Sequence, residues 1–180
     1  MPKSTPKIVL LDAQAIIDLH SWSLWKRLVQ SCDIGVSPII KQEAKFYKDN
    51  HEQKKTINLN PDIEAKRIHE IDVASASISS LVAKLSPSFL PALDDGELEA
   101  IGFLDSLQRK EPYYFCTADR LAIKCLGALG LRQRSLSLEE LFIQHKIAHS
   151  LPQHYSKSFF DKMLQEGFRD QCLYIKNRGH

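Results

Sequence analysis

The sequence predicts a single α/β domain in which a mainly parallel sheet is covered by helices on both faces. Short β-favouring apolar runs, such as Ile8–Leu11 and residues 112–117, alternate with stretches whose apolar residues have helical spacing. Parallel strands need helical crossovers of this kind, which then cover the sheet. With 180 residues, 43% of them apolar and 26% charged, the chain can bury one core but is short for two domains.

The first half of the chain predicts two strands, each followed by helix. Ile8–Leu11 forms a strand that ends at Asp12, and the apolar residues between Ala15 and Leu28 indicate helical faces. Residues 33–37 form the second strand. Ser37 as N-cap and Pro38 at the first helical position then begin a helix that we expect to reach about Lys48. Residues 50–60 are polar and lysine-rich, which favours a loop or a short β-excursion before residues 63–73.

The second half of the chain has clearer helix boundaries. Residues 74–85 are compatible with a helix, and the two prolines of residues 86–91 end it. The predicted elements that follow are a helix capped by Asp94 and Asp95 that reaches Arg109, a strand over 112–117, a helix from Arg120 that closes at Gly127 or Gly130, a short strand over 131–136, and a helix opened by the capping box of Ser137 and Glu140.

The C-terminal tail predicts an amphipathic helix. Apolar residues recur near helical spacing among basic ones; they are Phe159, Phe160, Met163, Leu164 and Phe168. We expect this face to pack back on the core, and a homodimer or partner surface is the alternative. The predicted organisation is therefore a domain over residues 1–147 and a helical extension over residues 148–180.

Composition excludes several classes of protein. No apolar run approaches the ~20 residues that span a bilayer, and Asp12 interrupts the first apolar stretch too early for a secretory signal, so we expect a cytoplasmic protein without membrane contact. The four cysteines have no CxxC spacing, which favours reduced thiols. The net charge of +2 is small, so any contact with nucleic acid must be local. Basic residues that recur along the chain, each of which is also compatible with a solvated surface, are Lys41, Lys45, Lys48, Lys54, Lys55, Lys66, Arg67, Arg109, Lys110, Arg132 and Arg134.

Four carboxylates are candidates for one site. Asp12 and Asp119 each follow a predicted strand, and the functional crevice of an open α/β sheet lies beyond the carboxyl ends of its strands. Glu43 and Glu97 lie in helices after the second strand and after the proline break. Each acid alone has a structural explanation as a cap, a capping-box member or a solvent-facing residue. Together they would repel one another unless cations neutralise them, and hard divalent cations prefer oxygen ligands.

Four motifs stand out within residues 8–141. They are Val-Leu-Leu-Asp12, Ser37-Pro-Ile-Ile-Lys-Gln-Glu43, Leu93-Asp-Asp-Gly-Glu97-Leu-Glu99-Ala and Cys116-Thr-Ala-Asp119-Arg120. Together they resemble the motifs of the PIN-domain family of nucleases. The third is the most distinctive, since it is similar to the D-x-G-E-x-E-A helix start of a subgroup often found as toxins. The resemblance implies a PIN-like three-layer α/β/α fold and a metal-dependent endoribonuclease that hydrolyses phosphodiester bonds, with a toxin–antitoxin pair as one setting.

Residue by residue, the resemblance implies that Asp12, Glu43, Glu97 and Asp119 form an acidic quartet that holds Mg²⁺ or Mn²⁺. Asp95 and Glu99 are supporting metal ligands, and Thr117 orients Asp119 by a hydrogen bond. We expect Lys41, Lys45 and Arg120 to contact an RNA substrate, with an antitoxin and a second copy of the chain as further candidate partners. Two features depart from the family: Ala13-Gln14 stands where many members carry a hydroxyl residue, and neither residues 50–73 nor the tail after Ile147 match its pattern.

Two other functions fit parts of the sequence. The first is a PIN-like module that binds RNA or a protein partner without efficient catalysis, which metal-dependent cleavage would distinguish from a nuclease. The second is a phosphoacceptor receiver domain, which also puts acids at strand ends. A receiver has paired acids after its first strand and gives the Asp-Gly-Glu-x-Glu helix start no role, so it ranks last.

Overall fold

The computed structural model describes residues 7–108 and 111–178, in which strands are interspersed with helices along the chain. The strands are β1 (Ile8–Leu11), β2 (Asp33–Val36), β3 (Phe46–Lys48), β4 (Lys54–Thr56), β5 (Ile68–Glu70), β6 (Tyr113–Cys116) and β7 (Ser135–Leu136). The α-helices are α1 (Ala13–Ser21), α2 (Trp25–Val29), α3 (Pro38–Glu43), α4 (Asn60–Glu64), α5 (Ser75–Lys84), α6 (Asp95–Ser106), α7 (Arg120–Ala128), α8 (Leu138–Gln144) and α9 (Lys157–Arg178). Short 3₁₀ turns cover Leu90–Ala92, Arg132–Arg134 and Gln153–Tyr155.

Within the described residues, five parallel strands form the central sheet in the order β5-β2-β1-β6-β7. The central strand β1 pairs Leu10 with Gly35 of β2 on one side and with Phe115 of β6 on the other. Val9, Leu10 and Leu11 are all buried, although successive side chains point to opposite faces of a strand. Both faces of the sheet are therefore covered. The predicted α/β class with a parallel central sheet is confirmed, and the arrangement is consistent with three α/β/α layers.

One helix is shorter than the sequence predicts. We expected the helix after Ser37 to reach about Lys48, but α3 ends at Glu43, and the chain turns at Ala44. The following Phe46–Lys48 segment pairs instead with Lys54–Thr56 as the antiparallel hairpin β3–β4. Aromatic residues favour strands, and a local partner strand outweighs the helical pattern here. The alternative of a short β-excursion near residues 50–60 is thus confirmed. The strand β5 was not predicted, because only Ile68 of its three residues is buried and the sequence there has no periodic pattern.

Helix α9 packs directly against α7, and the two backbones approach closely at two glycines. A Cβ atom added at Gly167 would lie 1.9 Å from the carbonyl oxygen of Lys124, and one added at Gly127 would lie 2.1 Å from that of Leu164. Glycine is the residue that permits such an approach. The predicted apolar face is largely buried, including Phe160, Met163 and Leu164, but Phe168 is 59% exposed and does not join the core. The boundary after residue 147 remains a prediction.

Three further features concern membrane contact, the thiols and the basic residues. No helix in residues 7–108 and 111–178 is long and apolar enough to cross a membrane. All four cysteines are free thiols, three of them buried and Cys172 exposed. Arg109 and Lys110, which we counted among the basic residues, lie outside the described part of the chain.

Candidate metal centre

The sheet reverses its direction of growth at β1. From β1 the chain moves to β2 and then to β5 on one side, and afterwards crosses to β6 and β7 on the other. A crevice opens at such a switch point beyond the carboxyl ends of the strands, between β1 and β6 in this sheet. Asp12 follows β1 directly and Asp119 lies three residues after the end of β6, so strand order alone brings these two segments to one place.

Asp12 is buried and hydrogen-bonded at both of its carboxylate oxygens. Oδ1 accepts the N–H of Ala15 as the N-cap of α1, and Oδ2 accepts the N–H of Ala118 at 3.2 Å. The hydroxyl of Thr117 also donates to this carboxylate. Burial raises the pKa of Asp12 above its usual value, the three hydrogen bonds oppose that effect, and the nearby charge of Asp119 adds to it. Asp12 therefore links α1 to the end of β6.

Asp119 is an N-cap as well, but it stands at the exposed mouth of the crevice. Its Oδ1 accepts the N–H groups of Leu121 at 2.7 Å and Ala122 at 2.9 Å, while Oδ2 accepts no hydrogen bond from the described residues. Thr117 Oγ1 accepts the backbone N–H of Asp119 at 3.0 Å. We predicted that Thr117 would orient Asp119; the structure shows it bonded to the Asp119 backbone and to the carboxylate of Asp12.

Glu97 is the second buried acid of the cleft, with 6% of its surface exposed. It completes the capping box of α6: Asp94 Oδ1 accepts the Glu97 N–H at 2.7 Å, and Glu97 Oε2 accepts the Asp94 N–H at 3.2 Å. Burial, followed by the charges of Asp119 and Asp94, raises the pKa of Glu97 from 4.5 to about 8. A carboxyl in this position holds its proton near neutral pH unless a cation lies close to it.

Glu43 reaches the cleft from the end of α3 and lies against the first turn of α6. A Cβ atom at Gly96 would stand 2.8 Å from Glu43 Oε2, so the absence of a side chain at Gly96 makes room for this carboxylate. Partial desolvation and then the charge of Asp94 raise the pKa of Glu43, with smaller contributions from Asp95, Glu99 and Asp12. The glycine of the Asp-Asp-Gly-Glu motif thus has a steric role toward an acid of another helix.

These side chains line one cleft of about 320 Å³, together with Asp94, Gln14, His154 and apolar residues. All four acids of the predicted quartet are on its wall. Comparison of the chain with protein-family models, curated proteins and solved structures gives no match. A function must therefore be inferred from the chemistry of the cleft itself.

The cleft supplies oxygen ligands, but they are not positioned to coordinate a metal ion without rearrangement. No three His, Cys, Asp or Glu side chains in the described ranges are arranged as a ready ligand group for a metal ion. Three of the four acids are instead engaged as caps, as their structural explanations anticipated. Glu43, Glu97 Oε1 and Asp119 Oδ2 nevertheless accept no hydrogen bonds from the described residues. Their chemistry fits a hard divalent cation, whose binding would require these carboxylates to draw closer together.

Several residues predicted for the site lie elsewhere. Asp95 and Glu99 are not on the cleft wall, and Glu99 accepts the backbone N–H of Ile39 at 3.4 Å. Lys41 forms an ion pair with Glu70 at 2.8 Å, and Arg120 lies 3.6 Å from Glu166 of α9. Lys45 is exposed just after Ala44, where α3 has ended. None of the three predicted substrate-binding residues lines the cleft.

Three polar residues of the cleft were not among the predicted site residues. Asp94 was interpreted only as a helix cap, although its position beside two other acids, Asp95 and Glu97, also indicated a place in the acidic site. Gln14 was noted as a departure from the family, and its side chain belongs to the cleft wall. His154 comes from the 3₁₀ turn before α9, and no local pattern connects it with Asp12.

Proposed function

We propose that this protein is a divalent-metal-dependent nuclease of PIN-like architecture that hydrolyses phosphodiester bonds, with RNA as its substrate. The observation that carries the proposal is the cleft at the switch point of the sheet, which is lined by five carboxyl groups, one of which, Glu97, has its pKa raised to about 8. The sequence resemblance to PIN nucleases supports it independently, because it selected the same four acids.

Charge explains why such a cleft needs a cation. Asp12, Glu43, Asp94, Glu97 and Asp119 line it, and no lysine or arginine does among the described residues. A phosphodiester is itself an anion, so the metal-free cleft repels it. Mg²⁺ or Mn²⁺ held by the oxygens of Asp12, Glu43, Glu97 and Asp119 would reverse that sign. When bound, such an ion lowers the pKa of a bound water and stabilises the charge that develops on the phosphate.

The protein's own contribution is positioning. Asp12 is fixed from three directions by Ala15, Ala118 and Thr117, and Asp119 is fixed at one oxygen by the first turn of α7. Glu97 keeps one oxygen on the Asp94 N–H and leaves the other for a cation. Because Asp12, Glu97 and Asp119 are already oriented by backbone groups, these three acids lose little side-chain entropy when a cation binds.

The test is cleavage of total RNA by purified protein with Mn²⁺, with Mg²⁺ and with EDTA, followed by mapping of the cut ends. We expect metal-dependent cleavage by the wild type and a loss of at least about 100-fold in Asp12→Asn, because one ligand charge is removed while Asn still caps the helix. Glu64→Gln is the matched control, since Glu64 is exposed in α4 and outside the cleft. Cleavage that Asp12→Asn leaves unchanged would contradict the assignment.

A second candidate function is a PIN-like module that binds RNA or a protein without cutting it. One observation favours it: Asp12, Glu97 and Asp119 all serve as helix caps, and a capping role needs no metal. In that case the wild type binds but does not cleave RNA in Mn²⁺, and Asp12→Asn changes neither property.

A further inference from the structure

The hairpin β3–β4 extends from the fold immediately after the candidate metal centre. Phe46 begins β3 three residues after Glu43, so the chain can separate them by no more than about 11 Å. The pairing of Phe46 with Thr56, Tyr47 with Lys55 and Lys48 with Lys54 defines the two faces of the hairpin. Phe46, Lys48, Lys54 and Thr56 share one face, since directly opposed residues lie on the same side and alternate residues of a strand do so too.

The opposite face anchors the hairpin to the domain. The Tyr47 ring lies 5.5 Å from that of His20 in α1, and His20 stacks on Trp25 at 4.9 Å. At the base of the hairpin Ala44 and Ile57 are buried. The hairpin is therefore held by one face, and the face of Phe46, Lys48, Lys54 and Thr56 is directed to solvent, where all four residues are exposed.

This outward face has an unusual combination of charge and apolar surface. Lys48 and Lys54 are directly opposed across the two strands, and like charges in that position destabilise a hairpin. An ion pair with Glu52 partly offsets the charge of Lys48, but both side chains are at least 70% exposed, so this pair contributes little to stability. Lys54 lies 3.9 Å from the centroid of the Phe46 ring, which itself remains 44% exposed. An anion placed between the two lysines would relieve their repulsion.

The charge of the hairpin complements that of the cleft. Four lysines, at positions 45, 48, 54 and 55, stand against Asp49 and Glu52 in this segment, while the adjoining cleft wall is acidic. An exposed aromatic ring beside lysines is the combination that binds single-stranded nucleic acid, because phosphates pair with the ammonium groups while an unstacked base lies on the ring. A duplex offers no free base face to Phe46.

We propose that the outward face of the β3–β4 hairpin is a docking surface for single-stranded nucleic acid that delivers the strand to the acidic cleft. Lys48 and Lys54 contact phosphates, and Phe46 stacks on a base. The choice of nucleic acid as the occupant rests on the proposed nuclease function, but the binding is measurable without catalysis. The rival explanation is that the lysines only protect a strand edge from pairing with other chains.

The test is fluorescence anisotropy with labelled oligouridylate in EDTA at several salt concentrations. We compare Lys48→Gln/Lys54→Gln with Lys162→Gln/Lys176→Gln, a control that removes the same charge from exposed positions of α9. Loss of two phosphate contacts should reduce the slope of log K against log salt by about 1.4, and the control should leave it unchanged. Phe46→Ala should weaken binding by roughly 5- to 160-fold at an unchanged slope, whereas Phe46→Trp, which keeps an aromatic ring, should bind about as tightly as the wild type.

The outcomes separate this inference from the proposed function. Hairpin-dependent binding without metal-dependent cleavage supports the docking surface and contradicts the nuclease assignment. If the wild type cleaves RNA but the hairpin variants bind oligouridylate as tightly as it does, the docking surface is overturned and the nuclease assignment stands. Equal effects of both lysine pairs, or equal binding of oligouridylate and a rigid duplex, also overturn it. Oligothymidylate distinguishes RNA from DNA, and aggregation of Lys48→Gln/Lys54→Gln with unchanged binding would show that the lysines only protect the edge.

Discussion

The replacement Glu97→Gln tests whether the acidic cleft is electrostatically strained. Glutamine is isosteric and can still accept the Asp94 N–H in the capping box, so the variant removes the charge and keeps the hydrogen bond. The pKa of Glu97 is raised from 4.5 to about 8, so the folded state binds more protons than the unfolded state between these values. The wild type therefore loses stability as pH rises through this window, whereas the variant lacks that loss.

The magnitude follows from the width of the window. One pKa unit corresponds to about 1.4 kcal/mol, so the rise from pH 5 to pH 9 should shift the stability difference by roughly 4 kcal/mol in favour of Glu97→Gln. An unpaired buried amide costs about 1–3 kcal/mol at every pH, which makes the variant less stable at pH 5 and more stable at pH 9. Urea denaturation in EDTA at both pH values measures the difference. A difference independent of pH would refute the argument that crowding and burial keep Glu97 protonated.

Three further predictions concern the metal and the tail. Asp119→Asn should leave the apo protein no less stable, because Asn also caps helices. It should reduce the stabilisation by Mn²⁺, which raises the melting temperature and, for native-state binding, adds about 2.7 kcal/mol to the free energy of unfolding at 100 times the dissociation constant. Equal shifts of the melting temperature in both proteins would show that Asp119 is not a metal ligand. Truncation after Ser150 should lower the free energy of unfolding by more than about 5 kcal/mol, since Phe160, Met163 and Leu164 are buried. An unchanged melting temperature and an unchanged oligomeric mass would show that the tail is dispensable. Gly167→Ala should destabilise the protein by about 3 kcal/mol or more in urea denaturation. The control is Gly102→Ala, whose Cβ would meet only Ile78 at 3.6 Å and which should stabilise the protein by about 0.5–1 kcal/mol. Similar changes in the free energy of unfolding for both variants would contradict the close α7–α9 contact.

Local signals predicted most of the fold because they coincide with its strongest elements. The apolar runs of β1 and β6, the capping boxes of α6 and α8, and the serine–proline start of α3 each depend on residues close in sequence. The end of α3 and the strand β5 did not follow from the sequence, since a three-residue strand owes its existence to its partner. Lys48 fits a helix equally well until Lys54 is known to lie opposite it.

The position of the acids was predictable for a topological reason, and their hydrogen bonding was not. Strand order brings Asp12 and Asp119 to one edge of the sheet whatever the orientation of their side chains. Their proximity can therefore be predicted without knowledge of side-chain contacts. The additional bond from Ala118 to Asp12, and the arrival of His154 from the turn before α9, depend on contacts more than 100 residues apart in sequence. Periodicity and capping rules contain no information at that range.

The glycine-mediated contact between α7 and α9 has a consequence for the order of events during synthesis. Asp119 caps α7, and Gly127 near the other end of that helix stays uncovered until residues 157–178 have left the ribosome. The nascent chain thus contains every acid of the cleft well before it contains the helix that holds α7 in place. Released chains that end at Ser150 should be cleaved by protease within α7, and chains that include α9 should resist.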